Sequence, residues 1–257
     1  MERVFGGTPA SNYSVTRRAA LWVVAASAIA LSLTRFAKAQ EEAEPDALTP
    51  LRERYAALET YADTGTVLVE QQWDKTEIRQ SGKFTTLYRT PRNFFFDFTE
   101  DPDTGTDRFV IWCDGGDFQS WWATTNQHEI YDGGRGANAF LLAEYPTIGT
   151  SMAIAGLIFA RAEIGGPVAG LTDIREAGEE EFGGRVFRRI AADTIVAGSV
   201  IRPHPTTLLI DPLSLLLHRL VEDTPPGSVG LDRRTTTFTP EANVHIEDRS
   251  FSFAVPG

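Results

Sequence analysis

The chain has 257 residues, 42% hydrophobic and 23% charged, which is enough apolar material for one sizeable core. Its formal net charge is −11, with no cluster of Lys and Arg, and this excludes a protein that grips nucleic-acid phosphates. A single cysteine, Cys113, excludes an intramolecular disulfide.

The N-terminus reads as an export signal. Arg17-Arg18 precedes an apolar run at 19–33, shorter than the roughly 20 residues a transmembrane helix needs. Ala37-Lys38-Ala39 then supplies a small-x-small cleavage site. The signal is therefore 1–39, and 40–257 is expected to be one exported, periplasmic domain. The paired arginines leave both the general and the folded-protein export routes open. No cysteine follows the cleavage site directly, so no lipid anchor is expected there. Residues 1–39 carry five basic side chains against one acidic, so cleavage takes the net charge to −15. That balance favours solubility, works against anionic headgroups and predicts no stable membrane insertion after cleavage.

The mature chain opens on an acidic stretch, 40–46. Leu48, Leu51, Tyr55 and Leu58 recur at steps of three and four, which predicts a helix with Asp46 as N-cap and Pro50 in its first turn. The pattern then changes to period two. Strands are predicted at 64–73, 77–89 with a bend or bulge at Gly82, 93–99, 108–114, 117–123 and 128–131. Phe94, Phe96 and Phe98 share one strand face. DPDTG at 101–105 is a turn by composition. The connections are short enough for antiparallel neighbours.

The middle of the chain differs. Sixteen consecutive positions, 145–160, carry no charge. Segments 137–145 and 151–162 read as helices that are apolar nearly all round, through Phe140, Leu141, Met152, Leu157 and Ile158 among others. Such helices are either buried core or the cover of an apolar surface. Strands resume at 171, with a hairpin turn at 182–185, and continue at 186–191, 206–211, 215–222, 233–239 and 243–253. Together these elements predict a mainly β fold with a helical insert at about 137–162.

The chemistry-bearing side chains point away from catalysis. Cys113 stands between Trp112 and Asp114, neither of which lowers a thiol pKa. The four histidines, His128, His204, His218 and His245, are scattered. Asp101, Asp103 and Asp107 lack the glycine and terminal Glu of a calcium loop. Asp114 and Asp117 bracket Gly115-Gly116 and read as exposed turn residues. No catalytic residue, metal or cofactor is expected. With a two-residue turn at Gly115-Gly116, Phe109, Ile111, Cys113, Phe118 and Trp122 share one face, and Val110, Trp112 and Trp121 the other. Both faces are apolar, so both should be covered.

Several motifs, in order, resemble the outer-membrane lipoprotein carrier superfamily, which includes the LolA and LolB carriers, mycobacterial lipid-binding lipoproteins and the sensor domain of RseB. They are Tyr61-Ala62-Asp63-Thr64-Gly65, Lys83-Phe84, Arg89-Thr90-Pro91-Arg92-Asn93-Phe94, Asp114-Gly115 with Trp121, Phe182-Gly183-Gly184-Arg185-Val186, Leu208-Leu209-Ile210-Asp211-Pro212 and Leu217-His218-Arg219. The resemblance spans most of 46–253. It implies a strongly curved antiparallel sheet, an unclosed half-barrel, with helices covering its concave face. It also implies a non-catalytic carrier of lipid acyl chains or acylated protein, or an RseB-type envelope-stress sensor acting through an envelope protein partner. The pocket residues expected on this reading are Phe94, Phe96, Phe98, Trp112, Trp121, Trp122, Phe140, Leu141, Met152, Leu157 and Ile158.

Overall fold

A computed structural model describes residues 46–256, except 74–75, 102–106, 133–137, 141–142, 144–146, 148, 160–167, 169, 195–202 and 226–229. The expected export segment, the acidic stretch up to Pro45, most of the 101–105 turn and Leu141 lie outside the described residues.

One short helix, α1 (Thr49–Ala56), comes first, with Pro50 in its first turn as the sequence predicts. Asp46 does not cap it directly. The N-cap is Leu48, and Asp46 holds the approach by accepting the Leu48 N–H at 2.9 Å while pairing with Arg52 at 2.6 Å. The turn before the helix leaves the carboxylate two residues upstream of the cap, so it secures the lead-in turn instead of the first helical N–H groups.

Eleven strands follow: β1 (Thr60–Trp73), β2 (Thr76–Arg89), β3 (Asn93–Glu100), β4 (Arg108–Asp114), β5 (Phe118–Trp122), β6 (Gln127–Tyr131), β7 (Leu171–Phe182), β8 (Arg185–Thr194), β9 (His204–Ile210), β10 (Leu217–Asp223) and β11 (Gly230–Ala242). They make one antiparallel sheet in the order β6-β5-β4-β3-β2-β1-β11-β10-β9-β8-β7, not closed into a barrel. Two meanders therefore meet at the middle, where β1 pairs with β11, and β6 and β7 are the two edges. The chain joining those edges, 132–170, contains the apolar insert. Its described part is helical at 138–140, forms a 3-10 turn at Gly149–Met152 and then α2 (Ala153–Phe159).

Burial alternates strongly through the middle of the sheet. In β3 the positions run intermediate, buried, intermediate, buried, which puts Phe94, Phe96 and Phe98 on one face. That face, the buried side of α1 and the described insert share one continuous apolar cluster. A hydroxyl ties α1 to the second meander: Tyr55 OH accepts the Leu217 N–H at 3.2 Å.

Two expectations need correcting. Gly82 forms no bulge, since β1 and β2 keep unbroken register from Thr60↔Arg89 to Trp73↔Thr76. Its missing side chain makes room for a ring instead: a Cβ there would stand 2.5 Å from Phe98. The predicted strand at 243–253 is also absent. β11 ends at Ala242, and Asn243 takes a left-handed φ of 59° that turns the chain out of the ladder. A 3-10 turn, Asp248–Phe251, then buries Phe251.

Candidate functional site

The apolar face carries its densest feature where β3 and β5 meet the insert. Phe94 and Phe118 rise from the sheet; Phe140 and Phe159 descend from the insert. All six pairs of these rings lie within 5.2–6.2 Å between centroids, several of them edge to face. Tyr88 adds an edge contact to Phe159 at 5.8 Å, and the Arg92 guanidinium lies 5.8 Å from the Phe118 centroid. The sequence supplies this set simply. Period-two burial aims Phe94 and Phe118 at the same face, and the insert is apolar enough around Phe140 and Phe159 to bury both rings against it.

Of the residues expected at a pocket, Phe94, Phe96, Phe98, Phe140, Met152, Leu157 and Ile158 all belong to this one buried cluster, and Trp122 packs against it half-buried. Trp122 is held by its indole N–H, which donates to Asp107 at 2.5 Å. Trp112 and Trp121 lie elsewhere. They point from the opposite face of the sheet and form a separate cluster with Val110, covered by Phe253 and Val255 of the C-terminal segment. Trp112 also stacks on His128 at 5.5 Å, nearly parallel. Register explains the split: β4 and β5 pair as Phe109↔Trp122 and Val110↔Trp121, in step with a two-residue turn at Gly115-Gly116. Phe118 and Phe159, which complete the ring set, were outside the expected pocket. Phe118 was nevertheless legible from its in-phase position beside Cys113 on that hairpin.

The same face holds an unexpected polar group. Asp63 is 3% exposed and accepts a hydrogen bond from the Tyr61 hydroxyl at 2.7 Å. Burial pushes its carboxyl up to about 7, with the Tyr61 hydrogen bond working the other way. Burial likewise pushes the Tyr61 and Tyr55 phenols up. The signal for Asp63 was available in the sequence, because it stands in phase with Tyr61, Val67 and Val69, where only apolar residues belong.

The Cys113 thiol is buried, burial raises its pKa, and it donates to the Gly116 carbonyl at 3.3 Å. Asp114 and Asp117 are exposed turn residues. Among the described residues no three of His, Cys, Asp and Glu could together hold a metal ion. Nor is any helix among them long and apolar enough to cross a membrane. A groove of about 560 Å³ crosses the opposite face of β3, β2, β1 and β11, but threonine hydroxyls, Lys83 and Asp97 dominate its lining. Such a surface does not suit an alkyl chain.

No protein-family profile matches the sequence, and no curated protein matches it. Solved structures of similar fold exist. LprF from Mycobacterium bovis is 10% identical over 82% of this chain and 94% of its own, with a TM-score of 0.41. A LolA superfamily protein from Nitrosomonas europaea is 10% identical over 82% and 99%, at 0.32. MucB from Pseudomonas aeruginosa, solved with MucA, is 13% identical over 80% and 59%, at 0.37. At these identities the likeness is one of fold alone.

Proposed function

We propose that this chain is a non-catalytic periplasmic carrier or binding protein for a hydrophobic ligand, either lipid acyl chains or the acylated part of a lipoprotein. The sheet curves into a half-barrel on this reading, and α1 and the insert cover its concave apolar face. The four-phenylalanine set is the observation that carries it. Phe140 and Phe159 meet the face through apolar contacts, which are nondirectional. An alkyl chain can replace them when the insert lifts, gaining about 0.8 kcal/mol for each CH₂ it buries. The apolar interior thus becomes a pocket by exchange of one apolar surface for another. The net acidic surface keeps the unloaded protein off anionic lipid.

The test is native mass spectrometry of protein taken from the envelope without detergent, paired with displacement of an apolar fluorophore by fatty acids. Co-purified lipid and displacement are expected. Finding neither would sink the carrier reading.

The sensor alternative draws on a different feature. Among the described residues β6 is an edge strand, with Ile130 61% exposed, a surface that can accept a strand from an envelope protein partner. A charge at Ile130 would then abolish partner docking and leave fluorophore displacement unchanged.

A further inference from the structure

Three buried side-chain oxygens on the insert and the apolar sheet face have no hydrogen-bond partner among the described residues: Asp63 Oδ1, Thr86 Oγ1 and Ser151 Oγ. Asp63 is 3% exposed, Thr86 1% and Ser151 1%. Two of them are direct neighbours. Asp63 and Thr86 are cross-strand partners in the β1–β2 ladder, which sets their Cβ atoms about 4.5–5.5 Å apart on one face. Ser151 lies in the Gly149–Met152 turn, which packs against β1 and β11. On the far side, Asp63 Oδ2 is satisfied by the Tyr61 hydroxyl, and the Tyr55 ring stands 5.6 Å from that of Tyr61.

A buried polar atom without a partner opposes folding, and native interiors rarely keep one unless something else supplies the bond. Here one carboxyl oxygen is held while the other has no partner among the described residues, across the ladder from Thr86, and the turn that packs on β1 bears a further hydroxyl, Ser151. We propose that Asp63, Thr86 and Ser151 are the polar anchor of the apolar interior, and that it takes the hydroxyl of a neutral long-chain amphiphile. This rests on the carrier reading and specifies its ligand. The ligand hydroxyl donates to Asp63 Oδ1 and accepts from Thr86 or Ser151, whose hydroxyls rotate to suit. A charged headgroup, carboxylate or ammonium, fits worse, because the Thr86 and Ser151 hydroxyls are neutral and burial biases Asp63 toward its protonated form, so the charge would enter without a counter-ion.

Fluorophore displacement on the intact protein tests this with dodecanol, its methyl ether and dodecylamine. Dodecanol is expected to compete at about tenfold lower concentration than the ether, the size of one net buried hydrogen bond. Thr86→Val and Ser151→Ala should each shrink that preference while leaving the ether's competition unchanged. Thermal melts check that both variants stay folded, and either one suffices. Equal competition by alcohol and ether in the wild type overturns the anchor and leaves the carrier reading standing. Preference for the amine overturns the neutral-hydroxyl assignment. Failure of all three compounds, with no co-purified lipid, overturns anchor and carrier together.

Discussion

Asp63 makes the stability of this protein depend on pH in an unusual direction. Its carboxyl is raised by burial from 3.8 to about 7 in the folded chain. Below about pH 4 it is protonated in both states and costs nothing. As pH rises through 4 to 7 the unfolded chain releases the proton first, so stability falls, and above about 7 the loss levels off. The full loss is on the order of 4 kcal/mol, moderated by any group that enters to hydrogen-bond the carboxyl. Asp63→Asn should therefore raise the melting temperature at pH 8 and change it little at pH 4. A flat difference across that range would show that the carboxyl is not held in the apolar interior. At the neighbouring Gly65 the constraint is steric. A Cβ there would stand 2.1 Å from the Phe84 ring and 2.6 Å from the Thr237 carbonyl oxygen. Gly65→Ala should destabilise by about 1–3 kcal/mol, measured by denaturant unfolding, because a backbone oxygen cannot swing aside as a ring edge can.

The insert and the C-terminal segment divide the aromatic residues between two faces. Phe159→Ala removes one corner of the four-ring set but leaves the sheet intact. Amide exchange should therefore speed up across Gly149–Phe159 well before it does in β2 or β3. On the other face, Phe253 covers Trp112 and Trp121 at ring distances of 5.2 and 5.5 Å. Ending the chain after Phe251 should shift tryptophan emission to the red without altering fatty-acid displacement. Ligand-dependent emission should instead track Trp122 and vanish in Trp122→Phe. The hairpin itself was legible: Gly115-Gly116 announced the turn, and period two announced which residues share a face. Which face looks inward was not legible, because Val110, Trp112 and Trp121 are as apolar as Phe109, Ile111 and Phe118. The residues that settle it, Phe253 and Val255, lie beyond a stretch whose alternation reads as one more strand. There Asn243 breaks the ladder through its backbone angle, which no hydrophobic pattern reports.

At the scale of the molecule, the strands β1 to β11 and their meander connections were legible, the extra strand expected at 243–253 apart, because each hairpin is local in sequence. The pairing of β1 with β11 was not, since it joins Tyr61 to Ala242 across the whole chain and leaves no signal in any short window. That pairing has a consequence for how the protein is made. During synthesis, β1 emerges first and pairs on one side with β2, while its other side waits for the last strand. Until Gly230–Ala242 arrives, the fourteen-residue strand Thr60–Trp73 presents open hydrogen-bonding groups. A chain ending before Gly230 should therefore self-associate, read as an increase in sedimentation coefficient with concentration, whereas the full chain should not. The central seam thus works as a zipper fastened only from the far end, and an unfinished copy is adhesive along its middle.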